Sequence, residues 1–318
     1  MPRLTVVIPA LGSTAALENS LVSALEHRPA SCDLVVVHTR PYSDPYELAG
    51  EVRFIDAPPG ADASECIRCG IAAANSEIVF VLLAGCEVVA GWSDRALKHF
   101  ANPRVAAVAP RIVSTADRER TLANGARLWP GGKWMLHSGP APTAGDPQPG
   151  IWGPPLAAGF YRAKALEDVG AFAGVHAGPL ADASLAAALH RSRWLVAWEP
   201  TCAVAADVST LDQPGGRLRR AWKAQQLAVD TADLFGGARS LTGLAGPMLG
   251  EFFHALPSPM AVALLAVRLA ALVGARRHPP LPVQPLLEPA SAEAGYRRVD
   301  RSHSRERRET TAQTLRRG

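Results

Sequence analysis

Ile78-Val79-Phe80-Val81-Leu82-Leu83 is a run of six consecutive apolar side chains, and it limits the folds open to this chain more than any other feature. A strand with one wet face alternates apolar and polar residues, whereas a strand covered on both faces does not, so the run predicts a central strand between two layers. Thr5-Val6-Val7-Ile8-Pro9 and Leu34-Val35-Val36-Val37 read the same way, and Val52-Arg53-Phe54-Ile55 and residues 105–109 are further strands. Helical spacing fills the intervals. Leu17, Leu21, Ala24 and Leu25 recur between a Ser13 or Thr14 cap and Pro29, and Asp62 with Glu65 forms a capping box ahead of Ile67, Ile71 and Ala74. The alternation predicts an α/β fold with a mainly parallel sheet, helices on both faces, and ligand groups at the carboxyl ends of the strands.

The second half is less regular. Residues 124–159 are rich in Trp, Gly and Pro, including Trp129-Pro130-Gly131-Gly132 and Ile151-Trp152-Gly153-Pro154-Pro155, and read as loops that shape a cleft. A helix over 163–169 ends at Gly170, another over 182–190 leads into a strand at 194–198, and 218–234 is helical. Residues 260–273 are mostly apolar but fall short of the roughly 20 residues that a spanning helix needs, and Arg268 interrupts them. Two readings stay open there: a core-packing helix, and an interfacial helix resting on a bilayer.

Composition narrows the function classes. Of 318 residues 48% are hydrophobic, enough for a sizeable core, and the net charge of +4 is too small to imply nucleic-acid binding. The excess is concentrated at one end: from Arg276 onward there are ten Arg against five acids, leaving the rest of the chain at about −1. No signal-peptide pattern opens the sequence, so the expected location is cytoplasmic, with the basic end able to touch the inner face of a membrane. Cys32, Cys66, Cys69, Cys86 and Cys202 lack framework spacing. Cys66 and Cys69 form an isolated Cys-x-x-Cys without further ligands, and they read as packed thiols. There is no Gly-x-Gly-x-x-Gly, no phosphate-binding Lys loop and no Gly-x-Ser-x-Gly elbow.

Four stretches carry a resemblance. They are Val6-Val7-Ile8-Pro9-Ala10, Gly70-Ile71-Ala72-Ala73-Ala74-Asn75-Ser76-Glu77, Gly91-Trp92, and the segment from Leu156-Ala157-Ala158-Gly159-Phe160-Tyr161-Arg162 through Glu167-Asp168-Val169-Gly170-Ala171-Phe172. Together, over about residues 3–210, they resemble the family 2 glycosyltransferases. The resemblance implies a GT-A domain over 1–235; beyond it the composition predicts a helical segment at 236–277, with a membrane-interfacial role as one reading, and a basic disordered tail at 278–318. The resemblance also implies that the N-terminal half holds a nucleotide sugar and the C-terminal part receives a glycan or lipid-linked acceptor. The nucleotide would meet Pro9, Ala10, His38, Thr39, Arg68, Leu83, Gly85 and Glu87.

The sequence also departs from that family. His38 and Thr39 stand where the family has a base-binding Asp, and Ala205-Ala206-Asp207 where it often has a further His. Leu83-Ala84-Gly85 stands where an Asp-x-Asp binds Mg²⁺ or Mn²⁺. Such hard cations take oxygen ligands, which Leu and Gly side chains lack, so no metal ligand is assigned; Glu87 is the nearest carboxylate. On the acceptor side Ala181-Asp182 aligns with the family's Glu-Asp, and Trp194 follows as in the family. Asp182 is the catalytic candidate, a general base for the acceptor hydroxyl, with a helix N-cap as its alternative role. No Gln-x-x-Arg-Trp occurs. The run Arg219-Arg220-Ala221-Trp222 is either a solvated face or a cationic partner for a leaving diphosphate. Two expectations follow: a transferase working without metal, and an inactive GT-A domain that binds a nucleotide, glycan or partner enzyme in polysaccharide assembly. A scaffold without any ligand is a third.

Overall fold

The computed structural model describes residues 4–40, 42, 44, 46–129, 131–139, 151–211, 216–235 and 260–275. The first half is regular: β1 (Leu4–Ala10), α1 (Thr14–Glu26), β2 (Cys32–His38), β3 (Val52–Asp56), α2 (Ala63–Ala73) and β4 (Ile78–Leu82). The expected caps form. The Ser13 hydroxyl accepts from the N–H of Ala16, and a carboxylate oxygen of Asp62 accepts from that of Glu65. Strands β3, β2, β1 and β4 lie side by side and parallel, with β4 buried throughout. At Gly70 a Cβ would lie 2.2 Å from a Val7 methyl, so only glycine lets α2 approach β1 this closely.

After β4 come β5 (Cys86–Val88), α3 (Asp94–His99), β6 (Val105–Ser114), β7 (Thr121–Ala123), β8 (Ala126–Trp129), β9 (Lys133–Leu136), β10 (Ile151–Gly153) and β11 (Ala158–Arg162). They are followed by α4 (Ala163–Asp168), α5 (Ala181–Arg191), β12 (Leu195–Ala206), α6 (Val208–Leu211), α7 (Arg217–Asp230) and α8 (Met260–Ala275). The main sheet runs β3-β2-β1-β4-β11-β6-β12-β5, with β7 paired to β6. β11 enters antiparallel to both β4 and β6, while β12 runs parallel to β6. The described residues belong to one compact unit.

Several features differ from the sequence reading. The stretch read as loops at 124–159 carries β8, β9 and β10, which make a separate antiparallel sheet in the order β10-β8-β9. β12 extends well beyond 194–198, because it pairs with β6 and then with the short β5. The helix expected over 218–234 stops at Asp230, and residues 232–235 form a 3-10 turn. Of the segment at 236–277 only α8 falls among the described residues, and the tail at 278–318 lies outside them.

The segment that carries most of the resemblance has a structural explanation. Phe160 packs with Phe80 and Trp92, ring centroids 4.2 and 5.5 Å away. Arg162, 8% exposed, donates to the carbonyls of Val105, Phe100 and Asn102 and pairs with Glu77. A buried guanidinium satisfied this fully joins β11 to β6 and to the chain after α3.

Candidate functional site

Leu83 follows β4, Trp134 lies on β9, Leu156 precedes β11, Asp182 begins α5, Thr210 lies on α6 and Arg220 on α7. All six line one cavity of about 170 Å³. Much of its remaining wall is apolar, so a charge inside it is felt strongly.

Asp182 is 2% exposed. One carboxylate oxygen accepts from the indole N–H of Trp134 at 2.9 Å and from the backbone N–H of Leu156 at 3.0 Å. The cap position of α5 is Leu180, not Asp182, although the second carboxylate oxygen accepts from the N–H of Ala183 at 2.9 Å. Asp182 instead stands in the first helical turn, where the helix dipole favours a negative charge. Leu180 adopts φ +60°, a conformation that costs a non-glycine residue on the order of 1–2 kcal/mol. That strained residue turns the chain into α5 and itself lines the cavity.

The expected nucleotide-binding residues are only partly assembled. Pro9, Ala10 and His38 lie together at the carboxyl edge, since Pro9 pairs with Val37 and Ala10 with His38, and Thr39 follows. Asp56 ends β3 directly opposite His38, with a carboxylate oxygen 3.3 Å from the ring Nδ1. Tyr42 stacks on Phe54 beside them, centroids 5.5 Å apart. Sequence reasoning missed Asp56 and Tyr42. A carboxylate is absent at 38 and 39 but present one strand over, and only the register reveals it.

Gly85 sits behind the cavity. Its N–H lies within hydrogen-bond distance of the carbonyl of Ala16 (3.0 Å) and the hydroxyl of Ser20 (2.9 Å), tying the turn after β4 to α1. Its φ is +92°, and a Cβ there would meet the Thr210 hydroxyl at 3.2 Å. Glu87 does not join Leu83. The turn sends the chain into β5, where Glu87 stands opposite Ala205, pairs with Arg118 at 2.8 Å and lines a separate, more open hollow of about 660 Å³. Arg68 is likewise apart, exposed on α2 and paired with Glu65 at 3.6 Å.

The donor set does not fit a divalent cation. Leu83, Ala84 and Gly85 offer no side-chain oxygen, Glu87 is paired elsewhere, and Asp207 accepts from the hydroxyl of Thr115. Among the described residues no three His, Cys, Asp or Glu side chains gather as a metal site. Burial pushes the thiols of Cys66 up to about 11 and of Cys32 and Cys86 up to about 12, away from the thiolate form.

No profile of a known protein family matches the chain. A stretch of 161 residues, half of the chain, is 29% identical to the pre-mycofactocin glycosyltransferase of Mycobacterium tuberculosis, in two strains, and covers 33% of that protein. The chain thus aligns with about a third of the length of these curated relatives. Among solved structures, GalNAc-T7 with UDP, GalNAc and Mn²⁺ superposes with a TM-score of 0.59 at 13% identity, over 86% of this chain and 55% of that one. S. aureus TarS gives 0.50 at 10% identity, over 86% of this chain and 92% of that one. The fold is that of the GT-A glycosyltransferases, and the sequence is glycosyltransferase-like over half its length.

Proposed function

We propose that the chain transfers a sugar from a nucleotide-sugar donor to a hydroxyl of a glycan or lipid-linked acceptor, and that it does so without a divalent cation. The observation that carries this reading is the meeting of Asp182 and Arg220 in one cavity beside Leu83, at the end of the central strand. The base of the donor would lie at the edge formed by Pro9, Ala10, His38 and Thr39, with Asp56 as hydrogen-bond acceptor and Tyr42 as a stacking face. Its diphosphate would reach the cavity, where the Arg220 guanidinium offers paired N–H donors to phosphate oxygens. Asp182 takes the proton from the acceptor hydroxyl as that oxygen attacks the anomeric carbon. The bond to the diphosphate breaks, and the nucleoside diphosphate leaves against Arg220.

Donor hydrolysis and transfer, measured in EDTA and in Mn²⁺, test the reading. Turnover should persist in EDTA. Asp182→Asn should lower it by about two orders of magnitude, the usual effect of removing a general base. The fold should survive, because the Asn carbonyl can still accept from Trp134 and Leu156. Arg220→Ala should weaken nucleoside diphosphate binding by about tenfold or more. Turnover that needs Mn²⁺ would overturn the metal-free mechanism.

A second reading has its own observation. Both Asp182 oxygens already accept hydrogen bonds, one from Trp134 and Leu156 and the other from Ala183, which suits an inactive domain in which the carboxylate only joins β9 and the chain before β11 to α5. Nucleotide binding without any turnover, unchanged in Asp182→Asn, would select it.

A further inference from the structure

α8 is built inside out. Its sequence, Met260–Ala275, contains one charged residue, Arg268, and that residue is 3% exposed, donating to the side-chain oxygen of the fully buried Gln225 on α7 at 3.0 Å. The water-facing stripe is apolar instead: Val262 is 64% and Leu269 51% exposed, with Ala266 and Ala270 exposed between and beside them. Spacings of four, three and one put these residues on one side of the helix. A helix in water keeps its charges outward and its Val and Leu inward, so this stripe calls for an apolar cover.

We infer that the cover is the surface of an anionic lipid bilayer, on which α8 lies lengthwise. At 16 residues the helix is about 24 Å long, short of the ~30 Å hydrocarbon layer, and no helix among the described residues is long and apolar enough to cross a membrane. On the neighbouring α7, Leu218 and Trp222 are exposed one turn apart, interleaved with Arg217 and Arg219. Trp and Arg are the residues that settle at headgroup depth. The sequence that follows α8 from Arg276 carries ten Arg against five acids, which complements anionic headgroups. The same charge argues against a second copy as the cover, since two α8 stripes brought together would also bring two positive segments together. None of this rests on the transferase reading.

The test is co-flotation of the full chain with phosphatidylcholine vesicles, with and without phosphatidylglycerol. The chain should float with the anionic vesicles and be released as salt rises. The double variant Val262→Glu, Leu269→Glu should keep the wild-type melting temperature and lose vesicle affinity by about tenfold or more. Three results would overturn the inference: no flotation of the wild type, equal flotation of the double variant, or a wild-type dimer in solution that the double variant dissociates.

Discussion

Two helices of this molecule, α5 at Asp182 and α8 at Arg268, each bury a charge, and they do so for different ends. On α5 every residue from Ala181 to Leu189 is buried, so Asp182 is enclosed by protein, and its carboxylate meets Trp134, Leu156, Ala183 and the cavity. On α8 the charge is buried just as deeply but the opposite side of the helix is open, and that side is apolar. Burial alone therefore does not identify a site. On α5 the charge lines a cavity; on α8 it is taken off the surface, leaving a stripe without charge.

The comparison breaks or sharpens under mutation. Leu185→Ala on α5 should cost about 2–5 kcal/mol, as large-to-small changes in a closed core do; denaturant unfolding measures it. If Leu185→Ala is nearly neutral, α5 is not the enclosed helix described. Acid should strike the same side next. His176, in the turn ahead of α5 and 4% exposed, is held down to about 4, chiefly by burial and then by the charge of Lys223. A histidine depressed below its ordinary 6.5 stabilises the fold fully above that value and loses its contribution as pH falls toward 4. The loss should reach at most about 3 kcal/mol, and should shrink in His176→Gln. A melting temperature flat between pH 6.5 and 4 would contradict it.

Arg268→Met should cost about 1–3 kcal/mol, because the side-chain oxygen of Gln225 loses its donor. Substituting Gln225→Leu in the same chain should recover part of that loss. The smallest effect belongs to the open stripe: Leu269→Ala should cost well under ~1 kcal/mol, since about half of that side chain already meets water. A loss as large as that of Leu185→Ala would mean that the stripe is covered within the chain.

The parallel strands were legible because each is a short apolar run between a capped helix and a proline or glycine. β11 was not. Gly159 and its small neighbours Ala157 and Ala158 dilute the apolar signal, and the strand exists because β4 and β6 flank it. The sheet β10-β8-β9 was hidden by its glycines and prolines, which mark its turns but read as continuous loop. At the site, Asp182 was reached through the resemblance and Leu83 through the end of the central strand. Their partners were beyond reach: Trp134 is 48 positions from Asp182, and no local pattern encodes that contact. Asp56 needed the register of β2 on β3, which is set by packing rather than by any motif.

The turn after β4 would resist the introduction of a cation site. Installing Asp at position 83 alone would give one ligand. A second at position 85 would have to adopt φ +92° and displace the hydroxyl of Thr210, while α1 holds the turn from behind through Ala16 and Ser20. Non-glycine residues resist such a backbone by about 1–2 kcal/mol, and the displaced contact adds to that. A carboxylate at position 85 would therefore meet resistance from its own backbone and from α6 together, so this turn is shaped for a residue without a side chain.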